Sequence, residues 1–284
     1  MNLDLDGRVV LVTGAGRGLG FAYAASLARH GALLAVHDGG VDEGGSESDS
    51  TVAKSAVEAI QLDGGTAFAI PEVISDAESC HRIVEATLEE FGRIDGLIHN
   101  AGLVVWKDPA QVDEKLYAKL SAVNNDAAFW LCSSALPAMR EQGFGRIVLT
   151  TSGWALEPSL ESDELVLYSQ GKGAQLGIAM ALANGAGHPG ILTNVISPVA
   201  NTRMMRADIA DGRFRPELVA GIVTWMASPA CSFSGRIVRA GDGKISLTHL
   251  TDVGEVNLGD SASDPSVAAA ALLKLDKVLT MRVE

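Results

Sequence analysis

The sequence predicts an α/β protein whose parallel sheet is covered by helices on both faces. Short apolar runs typical of strands alternate with longer segments of helical periodicity over residues 9–243. The first apolar run, Val9 to Val12, leads directly into a glycine-rich turn and then into a helix. Strands that alternate with helices pair in parallel, because each helix carries the chain back to the start of the next strand.

Length and composition exclude several classes of protein. The chain has 284 residues, of which 47% are hydrophobic, so it can bury a sizeable core. Its net charge of −13 argues against a nucleic-acid partner, which requires a basic face. The three cysteines have no C-x-x-C spacing, so we expect neither disulfides nor a metal site. We find no signal peptide and no run of ~18 apolar residues, and therefore expect a cytoplasmic protein without a membrane span.

The stretch VVLVTGAGRGLG, residues 9–20, predicts a site for a pyrophosphate. Its apolar residues indicate a buried parallel strand. Glycines 14, 18 and 20 follow with G-x-x-x-G-x-G spacing, and helical spacing continues from Phe21 to Gly31. Glycines let a bulky anion approach the backbone, and the helix start offers free N–H groups to it.

Asp38 ends the second predicted strand, residues 32–37, and lies 24 residues beyond Gly14. A carboxylate at this position can accept hydrogen bonds from an adenosine ribose, and it repels a 2′-phosphate. Arg17 indicates the opposite preference, since a guanidinium could hold that phosphate. We expect NAD rather than NADP, because Arg17 can serve the pyrophosphate instead. The alternative for Asp38 is a turn residue before two glycines.

The remaining segments predict five further strands and the helices between them. The strand-like runs are residues 66–70, 94–102, 145–152, 191–198 and 235–243. Helical spacing is found at residues 52–60, 76–91, 109–142, 165–186 and 216–227, with a break expected inside 109–142. Residues 39–50 are rich in Gly and Ser and predict a long flexible loop. We therefore expect seven strands in a domain of residues 1–243.

Residues 244–284 differ from the rest and are predicted to form a C-terminal extension. Asp264-Pro265 has the pattern of an N-cap followed by Pro at the first helical position. The terminal helix that follows is expected to pack on the same domain or on a partner subunit.

Tyr168 and Lys172 form a Y-x-x-x-K pair on the helix predicted after the fifth strand. The i, i+4 spacing puts both side chains on one helix face. A lysine ammonium beside a phenol favours the phenolate, so we expect the pKa of Tyr168 to fall from its usual value of about 10. Such a phenol can take a proton from an alcohol or give one to a carbonyl. The alternative is an exposed helix pair without a function.

Together, Thr13-Gly14, Gly18, Gly20, Asn100-Ala101-Gly102, Ser152 and the Tyr168/Lys172 pair resemble the short-chain dehydrogenase/reductase (SDR) family over residues 6–243. The resemblance implies a single Rossmann-like doubly wound domain with a seven-stranded parallel sheet. It also implies hydride transfer between a hydroxyl carbon and a nicotinamide, and a homodimer or homotetramer.

The resemblance assigns roles to individual residues. Tyr168 is the implied acid/base, Lys172 its pKa modulator and a ribose contact, and Ser152 the group that holds the substrate oxygen. Asn124 is the implied holder of a water in a proton relay, with Asn125 as the alternative. The implied cofactor-binding residues are Gly14, Arg17, Gly18, Leu19, Gly20, Asp38, Glu72, Val73, Asn100, Ala101, Gly102, Tyr168, Lys172, Pro198 and Val199.

Within the family, the chain is similar to the (3R)-hydroxyacyl-CoA dehydrogenase branch, which is also classed with the 17β-hydroxysteroid dehydrogenases. The segments DGRVVLVTGAGRGLGFAYA, FGRID, NVISPVANTRM and AGDGKI carry this similarity. It implies a 3-hydroxyacyl-CoA as the alcohol, with a hydroxysteroid as the alternative. It further implies a dehydrogenase that works without hydratase and carrier domains.

Two features concern the expected substrate mouth. Ser152 and Tyr168 are 16 residues apart, a longer gap than is usual in the family, so residues 153–167 are expected to bulge there. Trp106 and Trp154 follow strand ends and are expected to form an apolar wall for the substrate, with ordinary loop packing as the alternative. The long 153–167 segment also suggests a function of another class, that of a nucleotide-binding structural or regulatory protein with lost or restricted catalysis.

Overall fold

The computed structural model describes residues 2–42, 48–157, 163–200, 214–250 and 254–283, with side chains described as far as residue 275. The predicted loop at 39–50 and the segment 153–167 lie partly outside these residues. The chain divides into two compact units, Met1–Leu247 and Thr248–Glu284. The first unit extends beyond the expected boundary at residue 243 because the chain continues into one more strand.

Strands and helices alternate through the first unit. The strands are β1 (Val9–Thr13), β2 (Leu33–His37), β3 (Thr66–Ile70), β4 (Gly96–His99), β5 (Gly145–Thr150), β6 (Ile191–Val199), β7 (Ile237–Gly241) and β8 (Lys244–Thr248). The helices are α1 (Gly18–Arg29), α2 (Thr51–Leu62), α3 (Ala77–Phe91), α4 (Glu114–Ser121), α5 (Ala127–Gln142), α6 (Gly153–Leu156), α7 (Val166–Leu182) and α8 (Glu217–Met226).

The sheet has the strand order β3-β2-β1-β4-β5-β6-β7-β8. The first seven strands pair in parallel, which confirms the predicted doubly wound sheet. The predicted number of strands is wrong by one, since β8 adds an eighth. Asp242 and Gly243 join β7 to β8 with φ values of +52° and +69°. A two-residue connection with both residues in the left-handed region is a type I′ hairpin turn, which places β8 antiparallel to β7.

The sheet buries apolar side chains on both faces. Side chains along β1 alternate, so that Val10 and Val12 belong to one core and Leu11 to the other. The first core contains residues of α1, α2 and α8, and the second contains residues of α3, α5 and α7. Because helices cover both faces of the sheet, polar groups of the strands can reach a ligand only at the strand ends.

The break expected inside residues 109–142 is a π-helical turn. Residues Ala122–Asp126 form this turn between α4 and α5, and the α-helical part begins only at Glu114. An extra residue in a helical turn redirects the side chains around it, which is why such turns are frequent at functional sites. Asn124 lies in the middle of the turn and is fully buried.

The second unit contains a short 3₁₀ helix, Gly259–Ser263, followed by α9 (Pro265–Val283). Asp264 Oδ1 accepts hydrogen bonds from the Ser266 backbone N at 2.8 Å and from Ser266 Oγ at 2.6 Å. The terminal helix therefore begins where the Asp-Pro pattern predicts it. None of the helices in the described part of the chain has the length and apolar character needed to cross a bilayer.

Asp95, between α3 and β4, holds the start of β1. Its carboxylate is 1% exposed and accepts hydrogen bonds from the Val9 backbone N at 3.0 Å, Arg8 Nη1 at 3.0 Å and Arg93 Nε at 2.7 Å. Burial raises the pKa of this carboxyl, but these hydrogen bonds and the arginine charge outweigh it, so the pKa lies below its usual value.

We predict that Asp95→Asn lowers the free energy of unfolding by about 1–3 kcal/mol at pH 7, because it weakens charge-assisted hydrogen bonds to a buried acceptor. A depressed carboxyl pKa stabilises the fold at neutral pH, and this contribution disappears as the pH falls through the native pKa. The difference between variant and wild type should therefore shrink below pH ~4. Urea unfolding at pH 7 and pH 3 measures both effects, with Asp4→Asn at an exposed position as the control. An undiminished difference at pH 3 would contradict this account.

Candidate active site

The strand order reverses between β1 and β4, so the loops after these two strands diverge and leave a crevice. A cleft of about 860 Å³ opens there. Nine of the expected cofactor residues line it: Gly14, Arg17, Gly18, Leu19, Asp38, Val73, Asn100, Ala101 and Gly102. The fold thus brings together residues from the ends of β1, β2, β3 and β4.

The glycine turn packs directly on the turn that follows β4. Gly14 has a φ of +63°, and a Cβ on it would lie 2.8 Å from the Ala101 Cα. A Cβ on Gly20 would lie 2.0 Å from the Gly14 carbonyl oxygen, which also accepts a hydrogen bond from Asn100 Nδ2 at 3.1 Å. The helix α1 begins at Gly18 beside the cleft, and no side-chain cap occupies its first N–H groups. This cradle fits the pyrophosphate of a dinucleotide.

Asp38 lines the cleft and also orders the backbone around it. Its Oδ2 accepts a hydrogen bond from the Gly16 backbone N at 2.8 Å, and its Oδ1 accepts one from the Gly40 backbone N at 2.8 Å. The carboxylate is therefore fixed at the tip of β2 in contact with the glycine turn. These bonds show the turn role of Asp38, and its contact with a ribose stays a prediction.

Two further pairs of expected cofactor residues follow β3 and end β6. Val73 lines it, whereas the Glu72 carboxylate accepts a hydrogen bond from Arg82 Nη2 at 2.7 Å. The Glu72 carbonyl oxygen binds His37 Nε2 at 2.8 Å, which ties the end of β2 to the segment after β3. Pro198 and Val199 end β6, directly before a part of the chain outside the described residues.

Ser152, Tyr168 and Lys172 are brought together where β5 ends beside α7. Ser152 precedes α6, where its Oγ accepts a long hydrogen bond from the Trp154 backbone N at 3.4 Å. A hydrogen-bonding interaction with the Ser152 side chain acts to lower the pKa of the Tyr168 phenol. Lys172 Nζ lies 5.7 Å from the centre of the Tyr168 ring, and Lys172 is only 2% exposed.

The expected fall in the pKa of Tyr168 is wrong for this state of the protein. Burial raises the pKa of the phenol, and the hydrogen bond with Ser152 only partly offsets this. Burial likewise lowers the pKa of Lys172, to about 8, because an ammonium loses its hydration there. The spacing placed both groups on one helix face, but it contained no information on how deeply that face is buried.

Asn124 connects the π turn to the loop after β4. Its Oδ1 accepts a hydrogen bond from the Leu103 backbone N, and its Nδ2 donates one to the Leu103 carbonyl oxygen, both at 2.8 Å. A Cβ on Gly102 would lie 3.2 Å from Asn124 Oδ1 and 3.5 Å from Lys172 Nζ. Asn124, Gly102 and Lys172 therefore converge, and the alternative residue Asn125 is less buried.

Thr13 and His99 form a buried pair, and the sequence analysis assigned neither residue a role in the site. Thr13 Oγ1 accepts hydrogen bonds from the backbone N of Asn100 and of Ala101, each at 3.2 Å, and lies 2.9 Å from His99 Nδ1. Its own proton is therefore directed at the ring nitrogen. Burial first, and then the charge of Lys172, lower the pKa of His99 to about 3, so the ring is neutral.

Gln175 is a second residue that the sequence analysis missed. It is fully buried, and its Nε2 donates to the Asn124 carbonyl oxygen at 2.8 Å while its Oε1 accepts from the Thr150 backbone N at 3.0 Å. Its position three residues after Lys172 and seven after Tyr168 puts it on the same face of α7. That spacing was the available signal.

Trp106 and Trp154 meet, although neither lines the cleft. Their ring centres are 6.1 Å apart with planes at 84°, an edge-to-face contact. The ends of the long 153–167 segment are attached nearby, since Glu157 forms an ion pair with Arg239 and the Glu164 carbonyl oxygen accepts from the Lys107 backbone N at 2.9 Å. The middle of the segment, residues 158–162, lies outside the described residues.

Comparison with known proteins agrees with this arrangement. Residues 8–213 match the family described as short chain dehydrogenase. The chain belongs to this family. Members of this family are oxidoreductases that act on CH–OH groups with a nicotinamide dinucleotide as cofactor.

Individual relatives show which members of the family the chain is similar to. The chain is 30% identical over 93% of its length to peroxisomal multifunctional enzyme type 2 of Drosophila melanogaster, of which it spans 44%. It is 34% identical over 83% of its length to the peroxisomal hydratase-dehydrogenase-epimerase of Saccharomyces cerevisiae, of which it spans 26%. The crystal structure of a short chain dehydrogenase from Mycobacterium avium is similar with a TM-score of 0.82 and 31% identity, over 95% of each chain. The first two relatives are multifunctional peroxisomal enzymes, which agrees with the branch of the family that the sequence resembles.

The close contact between α7 and the π turn leaves no room for a side chain at Gly171. A Cβ on Gly171 would lie 2.4 Å from Asn124 Cβ, so either α7 or the π turn would have to move. We predict that Gly171→Ala lowers the kcat/KM of the dehydrogenase by about 10- to 100-fold, since small misplacements of reacting groups have effects of this size.

Gly173→Ala is the matched control. Apart from its chain neighbours and the backbone of α7 itself, no heavy atom of the described residues lies within 4 Å of a Cβ at this position, and Ala has the higher helix propensity. This variant should retain full activity and equal or higher thermal stability. Equal activity of both variants in a steady-state assay would show that the close approach does not matter.

Proposed function

We propose that the protein is an NAD-dependent dehydrogenase of secondary alcohols and that its substrate is a 3-hydroxyacyl-CoA. The observation that supports the reaction most directly is that Ser152 and Tyr168 come together beside a buried Lys172. This group stands next to a cleft whose glycine cradle fits a dinucleotide.

The residues would divide the reaction between them. Ser152 would hold the alcohol oxygen, and the Tyr168 phenolate would remove the hydroxyl proton as the carbon–hydrogen bond releases its hydride. When bound, the nicotinamide ring supplies the acceptor for that hydride. Lys172 would stabilise the phenolate by its charge, and Asn124 would help to hold a water that carries the proton away. Since burial raises the pKa of Tyr168, oxidation of the alcohol should be favoured at alkaline pH.

Asp38 supports NAD as the cofactor. Two backbone N–H groups hold its carboxylate at the tip of β2, where it lines the cleft. Each carboxylate oxygen keeps a further lone pair that can accept from a ribose hydroxyl. The fixed negative charge would repel the 2′-phosphate of NADP.

The substrate proposal rests on the family branch and on the aromatic pair. The yeast relative combines hydratase and dehydrogenase in one name, and hydration of a carbon–carbon double bond yields the kind of alcohol that a dehydrogenase oxidises. Trp106 and Trp154 would offer an apolar surface to an acyl chain. A hydroxysteroid is the alternative that the same surface would accept.

Two further expectations stay proposals. We expect a homodimer or homotetramer that pairs through α7, a helix rich in small residues. We also expect the protein to work in the cytoplasm.

The first test measures whether the protein turns over the proposed substrate. The purified protein should reduce NAD with 3-hydroxyacyl-CoA substrates, and Tyr168→Phe should lower kcat by about 10²- to 10⁴-fold, the usual contribution of a general acid/base. NADH fluorescence measures cofactor binding by both proteins and serves as the control. Turnover of free hydroxysteroids alone would favour the alternative substrate. Cofactor binding without turnover of any alcohol or ketone would favour a regulatory or structural protein.

The cofactor preference has a separate test. Asp38→Asn keeps an acceptor oxygen but removes the charge, so the ratio of kcat/KM with NAD to that with NADP should fall about tenfold or more, which corresponds to ~1.4 kcal/mol. Asp63→Asn, at an exposed position beyond α2, is the control. A wild-type protein that prefers NADP would disprove the assignment.

A further inference from the structure

We propose that Gln175 is a positioning residue that sets the distance between the catalytic elements, although it touches neither cofactor nor substrate. The proposal rests on the proposed roles of Tyr168, Lys172, Ser152 and Asn124. In this proposal, the buried side-chain amide of Gln175 joins the three segments of chain that carry these four residues.

The position of Gln175 in the fold is the first argument. Its Oε1 accepts from the backbone N of Thr150, the last residue of β5, and Ser152 follows two residues later. Its Nε2 donates to the carbonyl oxygen of Asn124 in the π turn. Gln175 itself belongs to α7, one turn beyond Lys172. A single side chain therefore connects the elements that carry Ser152, Asn124 and the Tyr168/Lys172 pair.

The chemistry of the two partners is the second argument. One partner is a backbone donor and the other is a backbone acceptor, and both bonds lie in the interior. A primary amide has an acceptor and a donor on the same planar end, so it can satisfy both partners at once. A carboxylate cannot donate, and an apolar side chain of the same length would leave two buried backbone groups unpaired.

The surrounding contacts limit how α7 can adjust. The Gly171 Cα faces the Asn124 Cβ without room for a side chain, and Thr151 Oγ1 donates to the Lys172 carbonyl oxygen at 2.9 Å. With α7 held at these two points, loss of the Gln175 bonds would be taken up by the π turn and by the end of β5. Both movements would displace proton-handling groups. The cleft would change little, since neither Gln175 nor Thr150 lines it.

The test compares two glutamines on the same helix. Gln175→Met keeps the volume and removes both hydrogen bonds, whereas Gln170→Met changes an exposed glutamine whose Nε2 donates to the Tyr117 hydroxyl. We expect Gln175→Met to lower kcat about 10- to 100-fold, with less than about a threefold change in the Kd for NADH. Gln170→Met should match wild type in both measurements. Gln175→Asn keeps the amide but is one methylene too short to reach both partners, and it should lose kcat in the same way if the Met variant does not fold.

Hydrogen exchange gives a readout that needs no turnover. In Gln175→Met the amide of Thr150 and the amides of residues 122–126 should exchange faster than in wild type, while those of the β1 strand should not. If exchange there is unchanged, or if kcat is retained while Tyr168→Phe abolishes it, Gln175 has no positioning role. If Tyr168→Phe retains full activity, the proposed catalytic mechanism has failed instead, and the exchange pattern still decides the role of Gln175.

Discussion

Polar groups buried beneath the cleft must find partners within the protein, because water cannot replace the hydrogen bonds they would lose. Thr13, Asn124 and Gln175 are all fully buried, and each one bonds to backbone groups of a different segment of chain. Satisfying these groups therefore fixes the relative positions of β1, β4, the π turn, β5 and α7. The geometry of the site follows from this requirement more than from contacts between catalytic side chains.

The same burial sets the electrostatics of the site. It raises the pKa of Tyr168 and lowers those of Lys172 and His99, since each charged form would lose hydration. A neutral His99 next to the lysine avoids adding a second positive charge. Burial thus perturbs the pKa values of a phenol and an amine at this site, and perturbed pKa values of this kind are frequent at sites that transfer protons.

Much of the fold and part of the site could be predicted from the sequence. The glycine turn, the alternation of strands and helices and the spacing of Tyr168 from Lys172 are local patterns, and local patterns determine which elements form. The eighth strand was missed because Asp242-Gly243 was taken as the end of the sheet rather than as a hairpin turn. Gln175 was missed because its partners, Thr150 and Asn124, are 25 and 51 residues away along the chain.

The sequence by itself determined the fold class and the glycine turn, and it predicted the residues that we propose to exchange a proton with an alcohol. These depend on residue types at short, regular spacings, which backbone sterics and helix geometry convert directly into structure. Only the tertiary structure decided that Asp38 is held by two backbone N–H groups, that Tyr168 is harder to ionise than a free phenol, and that Asn124 faces Leu103. Desolvation and hydrogen bonding depend on which distant segments pack together, and that information appears only when the chain has folded.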